Sequence, residues 1–157
     1  MKLHLGCGLK KKSGWINVDI EKDVKPDVMH DLNKYPWPFK NNSVDEIYMS
    51  NVLEHLHDLY KVKDELYRIS KHGCLVKIIV PHHNSHVAFN HPGHFHYFNS
   101  CTISMLFEDR KKFEITKLEL VPSRMGALFP KKYRELISCY LHEVLRYVDI
   151  EIKILKK

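Results

Sequence analysis

The chain has 157 residues, 44% of them hydrophobic and 28% charged, a composition that sustains a packed core and excludes a disordered polypeptide. The length suits one domain spanning residues 1–157. Lysine and arginine exceed the acids 25 to 19, a formal charge of +6. With basic groups in a loop (Lys10-Lys11-Lys12) and at the tail (Lys156-Lys157), a solvated basic surface explains that balance without a nucleic-acid partner. The four cysteines, Cys7, Cys74, Cys101 and Cys139, form no C-x-x-C pair. That spacing excludes a zinc ribbon or a small disulfide scaffold and fits a reduced protein. No apolar stretch approaches the roughly 20 residues of a membrane helix, and Met1 to Gly6 lacks a signal-peptide run. The expectation is a soluble cytoplasmic protein.

Lys2 to Leu5 reads as a short apolar strand that ends abruptly at Gly6-Cys7-Gly8. Trp15 to Ile20 is a second strand, and Val24 to His30 holds a short third after Pro26. A proline-marked loop, Tyr35 to Phe39, and a turn at Asn41-Asn42-Ser43 lead to a fourth strand, Val44 to Ser50. A helix is predicted from about Asp58 to Lys71, with Leu59, Val62, Leu66 and Ile69 on one face and His72-Gly73 closing it. Cys74 to Val80 is a near-continuous apolar run, the pattern of a strand buried on both faces. Ser100 opens a helix through about Phe107, and Phe113 to Val121 alternates as a strand. Pro130 to Tyr147 reads as an amphipathic helix carrying Tyr133, Tyr140 and Tyr147 as a core stripe, and Val148 to Leu155 as a half-exposed terminal strand. Strands alternating with helices predict an α/β fold with a mostly parallel sheet.

In such sheets ligands bind beyond the carboxyl ends of the strands, where the strand order reverses. The residues that follow each strand are therefore the candidates. After the first comes Leu5-Gly6-Cys7-Gly8, whose glycines let backbone turn sharply and approach a ligand. After the second comes Asp19, placed to accept ribose hydroxyls or to cap a helix. His30-Asp31-Leu32 follows the third strand, and Ser50-Asn51, then Glu54-His55, follow the fourth. A glycine loop with acids at two neighbouring strand ends is a nucleoside-binding arrangement.

These pieces carry a resemblance. Leu5-Gly6-Cys7-Gly8, Trp15 to Asp19, Asp31-Leu32 with Trp37-Pro38-Phe39, Asn42 to Tyr48, Asn51 to Leu56 and Leu66 to Gly73 together resemble the core of a class I S-adenosylmethionine-dependent methyltransferase. The similarity is to the type 11 group, in a short form without the N-terminal helices. The resemblance implies a Rossmann-like methyltransferase fold with an antiparallel C-terminal strand, and S-adenosyl-L-methionine as cofactor. It implies that Leu5, Gly6, Cys7 and Gly8 pass under the methionine portion and that Asp19, with Ile20 beside it, takes the ribose hydroxyls. Asp31 and the backbone of Leu32 would meet the adenine edge, with His55 on the same side. Ser50 and Asn51 would lie near the sulfonium. Only ten residues, Leu9 to Val18, separate Gly8 from Asp19, too few for a strand and a standard helix, so a shallow, open pocket is expected. No Asn/Asp-Pro-Pro-aromatic motif follows the fourth strand, where Ser50-Asn51-Val52-Leu53 stands. A small-molecule acceptor is favoured over nucleic acid, with no membrane partner. The alternative is a non-catalytic cofactor-binding or assembly protein on the same fold.

Six of the twelve histidines fall between His82 and His96, interleaved with Phe89, Phe95, Tyr97 and Phe98. Following the fifth strand, this segment would lie over the acceptor. His94, His96 and His82 are the candidate general bases, since imidazole titrates near neutrality. His94 and His96 with His82 or His83 could also hold zinc. With no cysteine nearby, the expectation is a lid and no metal.

Overall fold

In the computed structural model, which describes residues 1–156, seven strands hydrogen-bond into one sheet. They are β1 (Lys2–Leu5), β2 (Ile16–Asp19), β3 (Val28–Met29), β4 (Val44–Ser50), β5 (Ser70–Pro81), β6 (Phe113–Pro122) and β7 (Leu145–Ile154). Their spatial order is β3-β2-β1-β4-β5-β7-β6. The first five run parallel, and β7 lies antiparallel between β5 and β6. Three helices connect them: α1 (Leu59–Ile69), α2 (Ser100–Leu106) and α3 (Arg134–Ser138). The α/β fold with an antiparallel C-terminal strand is as expected. Among the described residues, no helix is long and apolar enough to cross a membrane.

The apolar register puts one core on one face of the sheet. Leu5 pairs with Met49, Met49 with Ile78, and Ile78 with Ile150, and all four are fully buried. Val62, Leu66 and Ile69 of α1 and Ile103 of α2 join the same cluster. α1 starts where the Asp58 carboxylate accepts the Lys61 N–H at 3.0 Å, a cap that satisfies one orphan donor of the first turn. α2 starts at Asn99 in a reciprocal capping box with Thr102.

Among the described residues the opposite face carries no helix layer, and this corrects the reading of β5 as buried on both sides. Val76, Ile78 and Val80 are buried, but Leu75 is 49% exposed. Its neighbours on that face form a ladder of charges: Lys77 bonds Asp149 (3.1 Å) and Glu151 (3.0 Å), and Lys117 bonds Glu119 (3.0 Å) and Asp149 (3.5 Å). The connection from β1 to β2 has no helix either. Instead the buried Asn17 side chain accepts the Lys12 N–H (2.8 Å) and donates to the Lys12 carbonyl (3.2 Å) and the Asp27 carboxylate (2.8 Å). Those bonds hold the shortened loop that the spacing anticipated.

Other expectations are corrected. α1 stops at Ile69, before His72-Gly73, because Ser70 is already extended and pairs with Val44. Gly73, at φ +80°, sits in the irregularity before Leu75 pairs with Glu46. The long late helix is also absent. Only Lys131–Tyr133 and Arg134–Ser138 are helical, and Tyr133 and Tyr140 are 45% and 82% exposed, so no tyrosine core stripe exists. The chain is needed as strand from Leu145, between β5 and β6, and one buried side chain makes the change of direction. Asn84 Nδ2 donates to the carbonyls of Ser138 and Leu141 (both 2.8 Å), while its Oδ1 accepts the N–H groups of Val144 (2.9 Å) and Leu145 (3.2 Å).

Truncating that side chain orphans four backbone groups, two of them buried beside the core, and each costs about 1–3 kcal/mol when left dry. Asn84→Ala is expected to lower unfolding stability by about 3 kcal/mol or more in urea titration. A loss below about 1 kcal/mol would show that water replaces the clip.

Candidate functional site

The site is built where the strand order reverses, between β1 and β4, the position at which open α/β sheets bind ligands. After Leu5 the backbone doubles back, and the N–H groups of Gly6 and Cys7 both donate to the Val18 carbonyl (2.8 and 3.0 Å). This turn needs glycine twice over at its first position. Gly6 has φ +66°, and a Cβ there would stand 2.2 Å from Cγ2 of Val52. Gly8, at φ +49°, has open space where a Cβ would be, so the loop presents bare backbone to the cleft.

Asp19 is held from two sides. Its Oδ2 accepts the Gly8 N–H at 2.7 Å and its Oδ1 the Glu21 N–H at 3.0 Å. The carboxylate thereby links the glycine loop to the end of β2, with lone pairs left for a ligand. Asp31 Oδ1 accepts the Asn33 N–H (2.9 Å), and Asn33 Oδ1 accepts that of His57 (2.8 Å). Leu32 is anchored from behind, because Trp37 Nε1 donates to its carbonyl (3.1 Å). The Trp37 N–H in turn donates to Glu65 (2.7 Å), which Arg68 grips with two bonds of 2.7 Å. Burial opposes ionisation of Glu65, but the Arg68 guanidinium and the Trp37 N–H hold its carboxyl below the usual range.

These loops enclose a cleft of about 460 Å³, within the usual size of small-molecule sites. Eight predicted residues line it: Gly6, Gly8, Asp19, Ile20, Asp31, Leu32, Asn51 and His55. Leu5 and Cys7 point into the core, 0% and 3% exposed, and burial, then the Asp19 charge, pushes the Cys7 thiol upward. Ser50 ends β4 but does not line the cleft. The sequence reading missed Glu21, Asn33, Val52 and Leu56 as lining residues. The signal for the last two was the apolar spacing of the segment after β4, which returns past the glycine loop. Asp19, Glu21 and Asp31 make the cleft acidic in a chain whose formal charge is +6.

The proposed bases do not converge. His82 is 1% exposed, its Nδ1 accepts the Asn84 N–H (3.1 Å), and its ring packs on His83 with centroids 4.6 Å apart. Burial, helped by His83, pushes its pKa down to about 4. His96 tilts towards Phe98, and its Nε2 is buried without a partner. His94 alone packs on a residue of the cleft, with its ring centroid 4.6 Å from that of His55. Nearby, Glu54 is 1% exposed, neither carboxylate oxygen has a partner, and burial raises its pKa to about 7.

Residues 3–78 match the family model described as "Methyltransferase domain". That match spans just under half of the chain. No curated protein matches its sequence significantly. Among solved structures, it is similar to a SAM-dependent methyltransferase from Archaeoglobus fulgidus (19% identity, 97% of this chain and 85% of that one, TM-score 0.74). It is also similar to a SAM-dependent methyltransferase from Methanosarcina mazei (17% identity, 99% and 92%, TM-score 0.64). The same fold carries a cyclase, SpnF (13% identity, 99% and 75%, TM-score 0.71), so architecture by itself leaves the chemistry to the residues in the cleft.

Two outcomes follow. Gly6→Ala forces a left-handed residue, costing about 1–2 kcal/mol, and drives a methyl into the stiff Val52 side chain. Denaturant titration should show at least that loss, and an unchanged midpoint would refute the close approach. His82 sets a pH dependence. Its folded pKa lies below the unfolded value of 6.5, so the unfolded chain binds the extra proton. The stability it contributes is complete above pH 6.5 and is lost as pH falls towards about 4. At about 1.4 kcal/mol per unit, the loss is on the order of 3 kcal/mol, and His82→Gln should flatten that part of the stability profile.

Proposed function

We propose that the chain binds S-adenosyl-L-methionine in the acidic cleft and transfers its methyl group to a small-molecule acceptor. The observation that carries this reading is Asp19, fixed between Gly8 and Glu21 beside the bare backbone of the glycine loop. The open space over Gly8 fits a ligand's chain, and the carboxylates of Asp19, Glu21 and Asp31 suit a ligand with a net positive charge. In this reading Asp19 receives the ribose hydroxyls, Asp31 and the Leu32 backbone the adenine edge, and the Gly6–Gly8 loop the amino-acid portion. The bound cofactor supplies an electrophilic methyl on its sulfonium. The protein's task is then to hold the acceptor in line and keep water out, which is mainly positioning. The segment from His82 to Phe98 serves as the cover, with His94 against His55 as its nearest contact to the cleft. Ser50-Asn51-Val52-Leu53, standing where an Asn/Asp-Pro-Pro-aromatic motif would follow β4, supports a small molecule over nucleic acid, acting in the cytoplasm.

A second reading, a cofactor-binding or assembly protein without turnover, is favoured by the helix-free crossover from β1 to β2 and the uncovered sheet face. One pair of measurements separates them. Calorimetry with S-adenosylmethionine and S-adenosylhomocysteine is expected to show saturable binding that Asp19→Ala weakens about 100-fold, the loss of about 3 kcal/mol in charge-assisted bonds. Radiolabelled cofactor incubated with small-molecule, RNA and protein fractions should label a small molecule, and not with Asp19→Ala. No binding at millimolar ligand overturns the first reading and selects an assembly protein, whereas binding without labelled product selects a non-catalytic cofactor-binding one.

A further inference from the structure

Outside the acids of the cleft, the histidine-rich segment closes on a residue from a different part of the chain. His55 ends the 3-10 turn after β4 (Leu53–His55), whereas His91 and His94 belong to the loop between β5 and α2. Three nitrogens, one from each ring, lie within 4.8 Å of one another. Among the described residues, no other group of histidines, cysteines or acids converges in this way. The set differs from the one the sequence suggested, because His82 and His96 point elsewhere and only His94 is shared.

We infer that His55, His91 and His94 form a binding site for a divalent transition metal ion, zinc or a close analogue, that pins the loop over the cofactor cleft. Three neutral imidazoles with a fourth position left open are a donor set that zinc favours. Two of the rings are already arranged as metal ligands usually are. Nδ1 of His55 donates to the Gly93 carbonyl at 2.9 Å and Nδ1 of His94 to the Ala88 carbonyl at 2.8 Å. Each bond fixes the tautomer whose Nε2 lone pair is free, the role that backbone acceptors play behind ligating histidines. Gly93 lets the rings meet. A Cβ there would lie 3.0 Å from both Cε1 and Nδ1 of His91 and 3.7 Å from Nδ1 of His55.

His91 is the adjustable member. It is exposed, and its Nδ1 accepts the Gly93 N–H at 3.0 Å, so as a ligand it gives up that bond and turns its ring. Nitrogens around a tetrahedral ion with bonds of about 2.0 Å sit roughly 3.3 Å apart, a closure that rotation of an exposed ring can supply. The loop would then be tied to the turn after β4 by the ion as well as by the Phe95 N–H, which already donates to the Glu54 carbonyl at 2.8 Å.

The inference does not rest on methyl transfer, and its test needs neither cofactor nor acceptor. Tag-free, EDTA-stripped full-length protein is titrated with zinc chloride by calorimetry, and with cobalt(II) by visible absorption. The expected result is one equivalent bound with micromolar or tighter affinity, and the ligand-field bands of four-coordinate cobalt. His91→Ala, which removes an exposed side chain and leaves the fold intact, should weaken binding at least about tenfold, as should His94→Ala. His83→Ala, an exposed histidine outside the trio, should bind as the parent does. Absence of saturable binding in the parent overturns the assignment. So does one equivalent that survives both His91→Ala and His94→Ala, which would put the metal elsewhere.

Discussion

A largely parallel sheet with helices on only one face must make its other face compatible with water by itself. Parallel sheets are ordinarily covered on both sides, and here the side chains of β5, β6 and β7 do what a missing helix layer would do. Lys77 and Lys117 are shared among Asp149, Glu151 and Glu119, so cross-strand neighbours alternate in sign instead of repelling. The more exposed of these pairs, Lys77–Glu151 and Lys117–Glu119, stabilise little individually. Their value is that they let a strand be apolar on one face only. Asn17 does the corresponding task at the other end of the sheet, where it replaces a helix with a knot of hydrogen bonds.

The economy of the first half shapes the cleft. With no helix behind the glycine loop, Asp19 becomes the strut that joins the loop to β2, and it cannot be released without loosening both. The adenine side is braced differently. Leu32 is held through Trp37, and Trp37 through the Glu65–Arg68 pair on α1, so the cleft wall is braced by a helix that does not itself line the cleft. Arg68 also donates to the carbonyls of Trp37 (3.0 Å) and Phe39 (2.8 Å). A planar, multidentate donor suits that position, and lysine would not replace it.

Much of this was legible in the residues. β1 and β4 are bounded by strong local signals, a glycine pair and a sharp turn, and their predicted limits coincide with those in the structure. The acids after β2 and β3 sit in the cleft because strand ends are fixed by register, which short sequence patterns carry well. The errors arose where tertiary pairing overrode local pattern. Residues 139–147 have helical periodicity, yet two neighbouring strands recruit the chain from Leu145, and the Asn84 clip that makes this possible comes from some sixty positions earlier. Leu75 read as buried because an apolar run cannot say which of its two faces is covered. The meeting of His55 with His91 and His94 is likewise a product of folding. No spacing rule links a turn after β4 with a loop more than thirty residues later.

The position of β7 bears on how the molecule comes to be made. β7, the last strand of the described residues, occupies the interior of the sheet, hydrogen-bonded to β5 along one edge and to β6 along the other. During synthesis the parallel half, from β3 across to β5, can associate early, but β6 has no partner and β5 keeps an open edge until residues 145–154 leave the ribosome. Contacts so distant in sequence form slowly, and unpaired apolar edges invite association with other chains in the meantime. The nascent protein is thus exposed to misassociation until β7 is made, when a single segment closes both edges at once.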